Sequence, residues 1–200
     1  MSTWTTFYVQ TNDSEPVTQQ LKELAGINHV EKGAFPGDDL YACYLVDENA
    51  MPDYLVIGKT QAGWVTVNHN SFNRLVDWGM VLSKKLNTKV ILTMAQSVSD
   101  VYYFCLFDKG LKLREIEVCY SDDFTPINYG QKFDFEGEQP GSKQDYDGET
   151  EYYFGFEEIE QYCSHFGLTI QYEPGGSNWT ILKNARDQPA RSAKPWWKFW

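Results

Sequence analysis

Apolar and polar positions change period several times along this chain, and each change marks an element. Thr3 to Gln10 (TWTTFYVQ) is rich in β-branched and aromatic residues and reads as a strand. Val17, Leu21, Leu24 and Ala25 then fall at helical spacing, with Asp13 or Ser14 as the cap, Pro16 tolerated in the first turn and Gly26 as a left-handed stop. Leu40 to Val46, Tyr54 to Lys59 and Gly63 to Asn68 read as three strands separated by Pro, Gly and Asp. The strongest helical stripe comprises Phe72, Leu75, Val76, Gly79, Leu82 and Leu86. It predicts a helix that starts at Asn70 or Ser71, runs to Leu86 and stops at Asn87.

Lys89 to Ala95, Val101 to Phe107 and Leu111 to Tyr120 are further strands, the last two joined as a hairpin by Asp108-Lys109-Gly110. Glu115 and Glu117 alternate with Ile116 and Val118, which predicts one face on the core and one in solvent. Ser121 to Thr150 breaks the pattern with Gly, Asp, Glu and two prolines, and reads as a long surface excursion. Ile159, Tyr162, Cys163 and Phe166 mark a helix over Glu157 to Phe166, closed by Gly167. Leu168 to Tyr172 is expected as a strand that pairs with Trp179 to Leu182 across Pro174-Gly175-Gly176. Together these predict an α+β fold: a mainly antiparallel central sheet with about three helices covering one face, and a flexible C-terminal tail. Parallel pairing stays open around the first two helices.

Charge sharpens the division. The 200 residues carry a net charge of −11, but from Lys183 onward five basic residues face one acid, so the first 182 carry −15. The expected organisation is one acidic domain, 1–182, and a basic, aromatic tail, 183–200. An acidic body argues against nucleic acid, which needs clustered Lys and Arg, and suits a basic protein partner. Met1 to Gln10 lacks the features of a signal peptide, and no run of 18 apolar residues occurs, so a cytoplasmic location is expected. The four cysteines, Cys43, Cys105, Cys119 and Cys163, form no C-x-x-C pair and are expected as small buried hydrophobes.

Candidate chemistry concentrates between Asp134 and Glu160, where ten carboxylates face only Lys143. Asp145-Tyr146-Asp147-Gly148-Glu149 looks like part of a calcium loop. With Gly148 at the sixth position, however, the first and twelfth ligands would be Lys143 and Phe154, which excludes it. The stretch reads as a solvated acidic loop, and its functional reading is an acidic docking surface formed by Asp134, Glu136, Glu138, Asp145, Tyr146, Asp147, Glu149, Glu151, Tyr152 and Tyr153, with Phe154 and Phe156 as further aromatic anchors. His29, His69 and His165 have no metal-ligand spacing, and nucleophile-elbow, P-loop, dinucleotide and zincin motifs are absent. No catalytic residue, metal or cofactor is expected.

The tail carries Lys194, Trp196, Trp197, Lys198, Phe199 and Trp200. Aromatic rings beside basic residues suit either the surface of a membrane, at its inner face, or a groove in a protein.

The middle third of the chain carries a resemblance. A helix with Trp78, Leu82-Ser83 and Leu86, a strand at Val90 to Leu92, Ser99-Asp100-Val101-Tyr102-Tyr103 and an Asp108-Lys109-Gly110 turn resemble small bacterial immunity proteins of polymorphic toxin systems. The resemblance implies a cytoplasmic protein that neutralises a toxin by contact, and it assigns no residue a role. Two other readings stand beside it: a peripheral membrane adaptor held by the tail, and an enzyme whose site has no recognisable motif.

Overall fold

The computed structural model describes residues 3–45, 47–121, 123–146, 149–170 and 178–184. In chain order these form β1 Thr3–Val9, α1 Ser14–Ala25, β2 Val30–Gly33, α2 Gly37–Ala42, β3 Tyr54–Gln61, β4 Trp64–His69, α3 Val76–Lys85, β5 Lys89–Gln96, β6 Val101–Asp108, β7 Leu111–Cys119, β8 Ile127–Gly130, β9 Ser142–Tyr146, β10 Glu149–Tyr153, α4 Phe156–His165 and β11 Trp179–Lys183. Among the described residues nine strands make one antiparallel sheet in the order β2-β11-β3-β4-β1-β5-β6-β7-β8, and β9 pairs only with β10. The fold class is therefore α+β, as the sequence predicts. Among the described residues, parallel pairing is confined to an isolated bridge between Leu45 and Ser71.

The central strand shows how the layers arise. Alternation sends Phe7 and Val9 of β1 to one side and Trp4 and Tyr8 to the other, and both sides are buried. Val17 and Leu21 of α1 and Trp78 and Leu82 of α3 close over the first side. Ile159, Tyr162 and Cys163 of α4, with Phe133 and Phe135, close over the second. Helices thus cover both faces rather than the single face expected. Each large apolar side chain buried this way contributes about 1.5–3 kcal/mol, which favours two covered faces over one left wet.

Local signals explain most of the boundaries. Asp13 caps α1 by accepting from the Glu15 N–H at 3.0 Å, and Gly26 ends it at φ 65°. Lys109 and Gly110, both at positive φ, make the turn between β6 and β7.

Five further expectations are corrected. The strand expected over Leu40 to Val46 gives way at its start to a short helix, Gly37–Ala42, that buries Leu40 and has Asp38 and Asp39 favourably placed in its first turn, while Val46 lies outside the described residues. The helix expected from Asn70 or Ser71 begins at Val76 instead. The Asn70 amide donates to the Cys43 carbonyl (3.0 Å) and the Asp53 carboxylate (2.8 Å), and Leu75 takes φ 54° while its N–H reaches Asn73. These polar residues therefore tie loops to β3 and are unavailable as caps.

Leu168–Ile170 forms no strand. Leu168 and Ile170 pack beneath α4, residues 171–177 lie outside those described, and β11 pairs with β2 and β3. Ser121 to Thr150 is not wholly irregular either, since it supplies β8, β9 and the start of β10. β11 also takes in Lys183, which the sequence assigned to the tail and which pairs with Glu31 at 2.9 Å.

Candidate functional site

The acidic stretch divides into residues turned inward and residues left outside. Phe133 and Phe135 stack on each other and pack on Tyr162, His165 and Phe166, which fixes the loop over α4. That anchorage turns Glu136 inward, where its side chain is 1% exposed and meets Arg114, itself 0% exposed. The guanidinium donates two bonds to the carboxylate, at 2.9 and 2.5 Å, and a third to the Tyr129 carbonyl at 2.7 Å. Burial alone would raise the Glu136 carboxyl, but the Arg114 bonds and the Phe133 N–H outweigh it and hold the group below the usual carboxylate range. Glu136 is thus a structural pin and does not belong to the acidic surface expected of it.

Asp134 and Glu138, on either side, are exposed. The Tyr152 hydroxyl donates to Glu138 at 3.2 Å, joining this loop to β10. In the β9–β10 hairpin Tyr153 faces Ser142, Tyr152 faces Lys143, Glu151 faces Gln144 and Thr150 faces Asp145. Asp145 and Glu151 are exposed. Tyr146 and Glu149 occupy strand positions, while Asp147 lies outside the described residues. The hairpin is held at its base by Glu158, which accepts from the Gly155 N–H at 2.7 Å and from the Ser142 hydroxyl. The structure therefore joins Glu138 to Tyr152 and leaves Asp134, Asp145 and Glu151 exposed on the same loop and hairpin, with Tyr153 at the end of β10.

Two aromatic residues beside this region, Tyr120 and Tyr102, were not picked out as site residues from the sequence, and of the further anchors expected, Phe154 is buried. Tyr153 stacks on Tyr120 with centroids 5.2 Å apart and planes 13° apart, and Tyr102 meets both edge-on. Phe156 closes on Tyr102 at 5.6 Å. Tyr120 and Tyr153 lie on elements far apart in the chain, so no local period links them.

The second arm of the central hairpin carries another correction. Glu115 and Glu117, expected in solvent, are each 7% exposed. Glu117 binds the Arg74 guanidinium, and Glu115 accepts from the Tyr103 hydroxyl (3.0 Å) and Lys112 (2.6 Å). Nearby, His69 lines a cavity of about 10 Å³ with Phe7, Arg74, Leu75, Met94 and Tyr103. Its Nδ1 has no hydrogen-bond partner among the described residues, and burial pushes the ring down to about 3.

His29 is exposed and bonds Glu31 at 2.7 Å, while His165 is exposed among phenylalanine rings. Cys105 and Cys163 are buried as expected, whereas Cys43 and Cys119 are half-buried, and all four are free thiols. Among the described residues no three His, Cys, Asp or Glu side chains group to hold a metal, and no helix is long and apolar enough to cross a membrane. The tail anchor Lys194, Trp196, Trp197, Lys198, Phe199 and Trp200 lies outside the described residues. No family model, curated protein or solved structure matches this chain.

Proposed function

We propose that this chain is an immunity-type binding protein that neutralises a basic toxin by contact through the acidic hairpin and its tyrosines. The observation that carries the reading is the β9–β10 hairpin itself. It pairs with no strand of the main sheet among the described residues, it holds Asp145 and Glu151 in solvent, and Tyr152 joins it to Glu138 of the loop that also exposes Asp134. Exposed carboxylates raise the rate of encounter with a cationic surface, and tyrosines beside them supply contact area at low entropic cost. The resemblance of the middle of the chain to immunity proteins supports the toxin as the partner. A cytoplasmic location belongs to this proposal, and so does a tail that holds the protein at the inner face of the membrane.

The test pairs the full chain with the product of the neighbouring reading frame. That product is expected to be a basic toxin, toxic when expressed alone and harmless when co-expressed with this chain. Protection is expected to be lost in the variant Asp134→Asn, Glu138→Gln, Asp145→Asn, Glu151→Gln. A neighbour without toxicity, or full protection by the variant, contradicts the proposal.

A further inference from the structure

The stacked pair Tyr120 and Tyr153 is exposed beside the hairpin, at 44% and 37%. Its hydroxyls do not account for that exposure, because both are engaged. The Tyr120 oxygen accepts from the Phe154 N–H at 2.7 Å and donates to the Phe154 carbonyl at 3.3 Å, and the Tyr153 hydroxyl donates to that of buried Tyr102 at 3.3 Å. The rings are also held in place, since a Cβ on Gly155 would lie 2.6 Å from the Tyr153 ring and Tyr102 stands edge-on to both. Two exposed residues whose fixed rings each keep one negative face turned from the other are suited to a cation.

Negative charge stands on both sides. Asp100 is exposed, and its carbonyl accepts the Tyr120 N–H at 3.2 Å. Its carboxylate is near enough to add to the upward push that burial gives the hydroxyls of Tyr102 and Tyr120. Glu151 is also exposed and shares a face of β10 with Tyr153, two residues away and hence about 7 Å distant along the strand. A planar guanidinium can stack on the rings and turn its N–H groups to these carboxylates, which a compact ammonium does less well.

We propose that the Tyr120–Tyr153 stack, flanked by Asp100 and Glu151, is the receptor for an arginine side chain of the protein partner. This rests on the reading that the acidic face binds a basic protein, and it names the group that enters the face. Arginine over tyrosine is a combination that interface hot spots favour, and here the rings need no reorganisation to receive it.

The test uses two probes on the full chain. Titration with N-acetyl-arginine methylamide is expected to shift the ring signals of Tyr120 and Tyr153 saturably in NMR spectra, while the uncharged citrulline analogue leaves them in place. Unmoved rings, or equal shifts with citrulline, overturn the inference.

An arginine nonapeptide then separates this inference from the reading beneath it. Binding is expected to weaken about tenfold in Tyr120→Leu/Tyr153→Leu and to persist in Tyr120→Phe/Tyr153→Phe, which keeps both rings. If the leucine pair binds as tightly as the native chain while Asp134→Asn/Glu138→Gln/Asp145→Asn/Glu151→Gln does not, the arginine receptor is wrong and the acidic face stands. If the native chain binds no nonapeptide, both are wrong.

Discussion

Single residues carry two kinds of buried charge, and each gives a measurable consequence. Replacing one partner of Arg114–Glu136 leaves the other charge buried and alone. Glu136→Leu or Arg114→Met is therefore expected to lower unfolding free energy by about 3–5 kcal/mol, and the double replacement to recover much of it. Urea unfolding of the four proteins reads this directly, and near-zero coupling would contradict the pin. His69 acts in the other direction on pH. Its folded value of about 3 lies below the unfolded value of about 6.5, so the unfolded chain binds the proton first. The contribution of neutral His69 is fully present above pH ~6.5 and is lost as pH falls from there through about 3. His69→Phe is expected to flatten the acid side of a stability-against-pH curve, and an unchanged curve would contradict it. Asp13, Gly26, Asn87 and the Lys109-Gly110 turn were legible because they act on their immediate neighbours. Glu115 and Glu117 were not. Alternation of charged and apolar residues reads the same whether the charged face meets water or meets Arg74, Lys112 and Tyr103 across the fold.

Elements with strong periods were legible and weak ones were not. α1, α4 and the long central strands stood out, whereas β2 (VEKG) and β8 (INYG) are four-residue edge strands with little apolar content, recognisable only through their neighbours. The six-residue α2 is too short for its period to compete with a strand-like composition. α3 offers a test of packing against propensity. A Cβ at Gly79 would lie 2.8 Å from Phe107 and 2.9 Å from Leu92. Alanine gains about 1 kcal/mol of helix propensity there, while overpacking costs about 1–3 kcal/mol. Gly79→Ala is expected to destabilise the protein by about 1 kcal/mol in denaturant unfolding, and a gain in stability would show that α3 is free to move off the sheet.

At the scale of the molecule, the two-sided α+β sheet places the acidic hairpin and the aromatic cluster next to each other at the base of α4. The fold class followed from local patterns, but the site did not, because its defining contact joins the end of β7 to the end of β10. An acidic face that steers a basic partner makes association sensitive to salt. The association rate with the toxin is expected to fall steeply between low salt and about 1 M, where screening acts within about 3 Å, and the dissociation rate to change less. The most direct measurement is amide hydrogen exchange of the full chain with and without the toxin proposed as the product of the neighbouring reading frame. Protection over Ser142–Tyr153 and around Tyr120, with the outer edge at β2 unchanged, is the predicted footprint. Protection elsewhere with the hairpin unaffected would contradict the account.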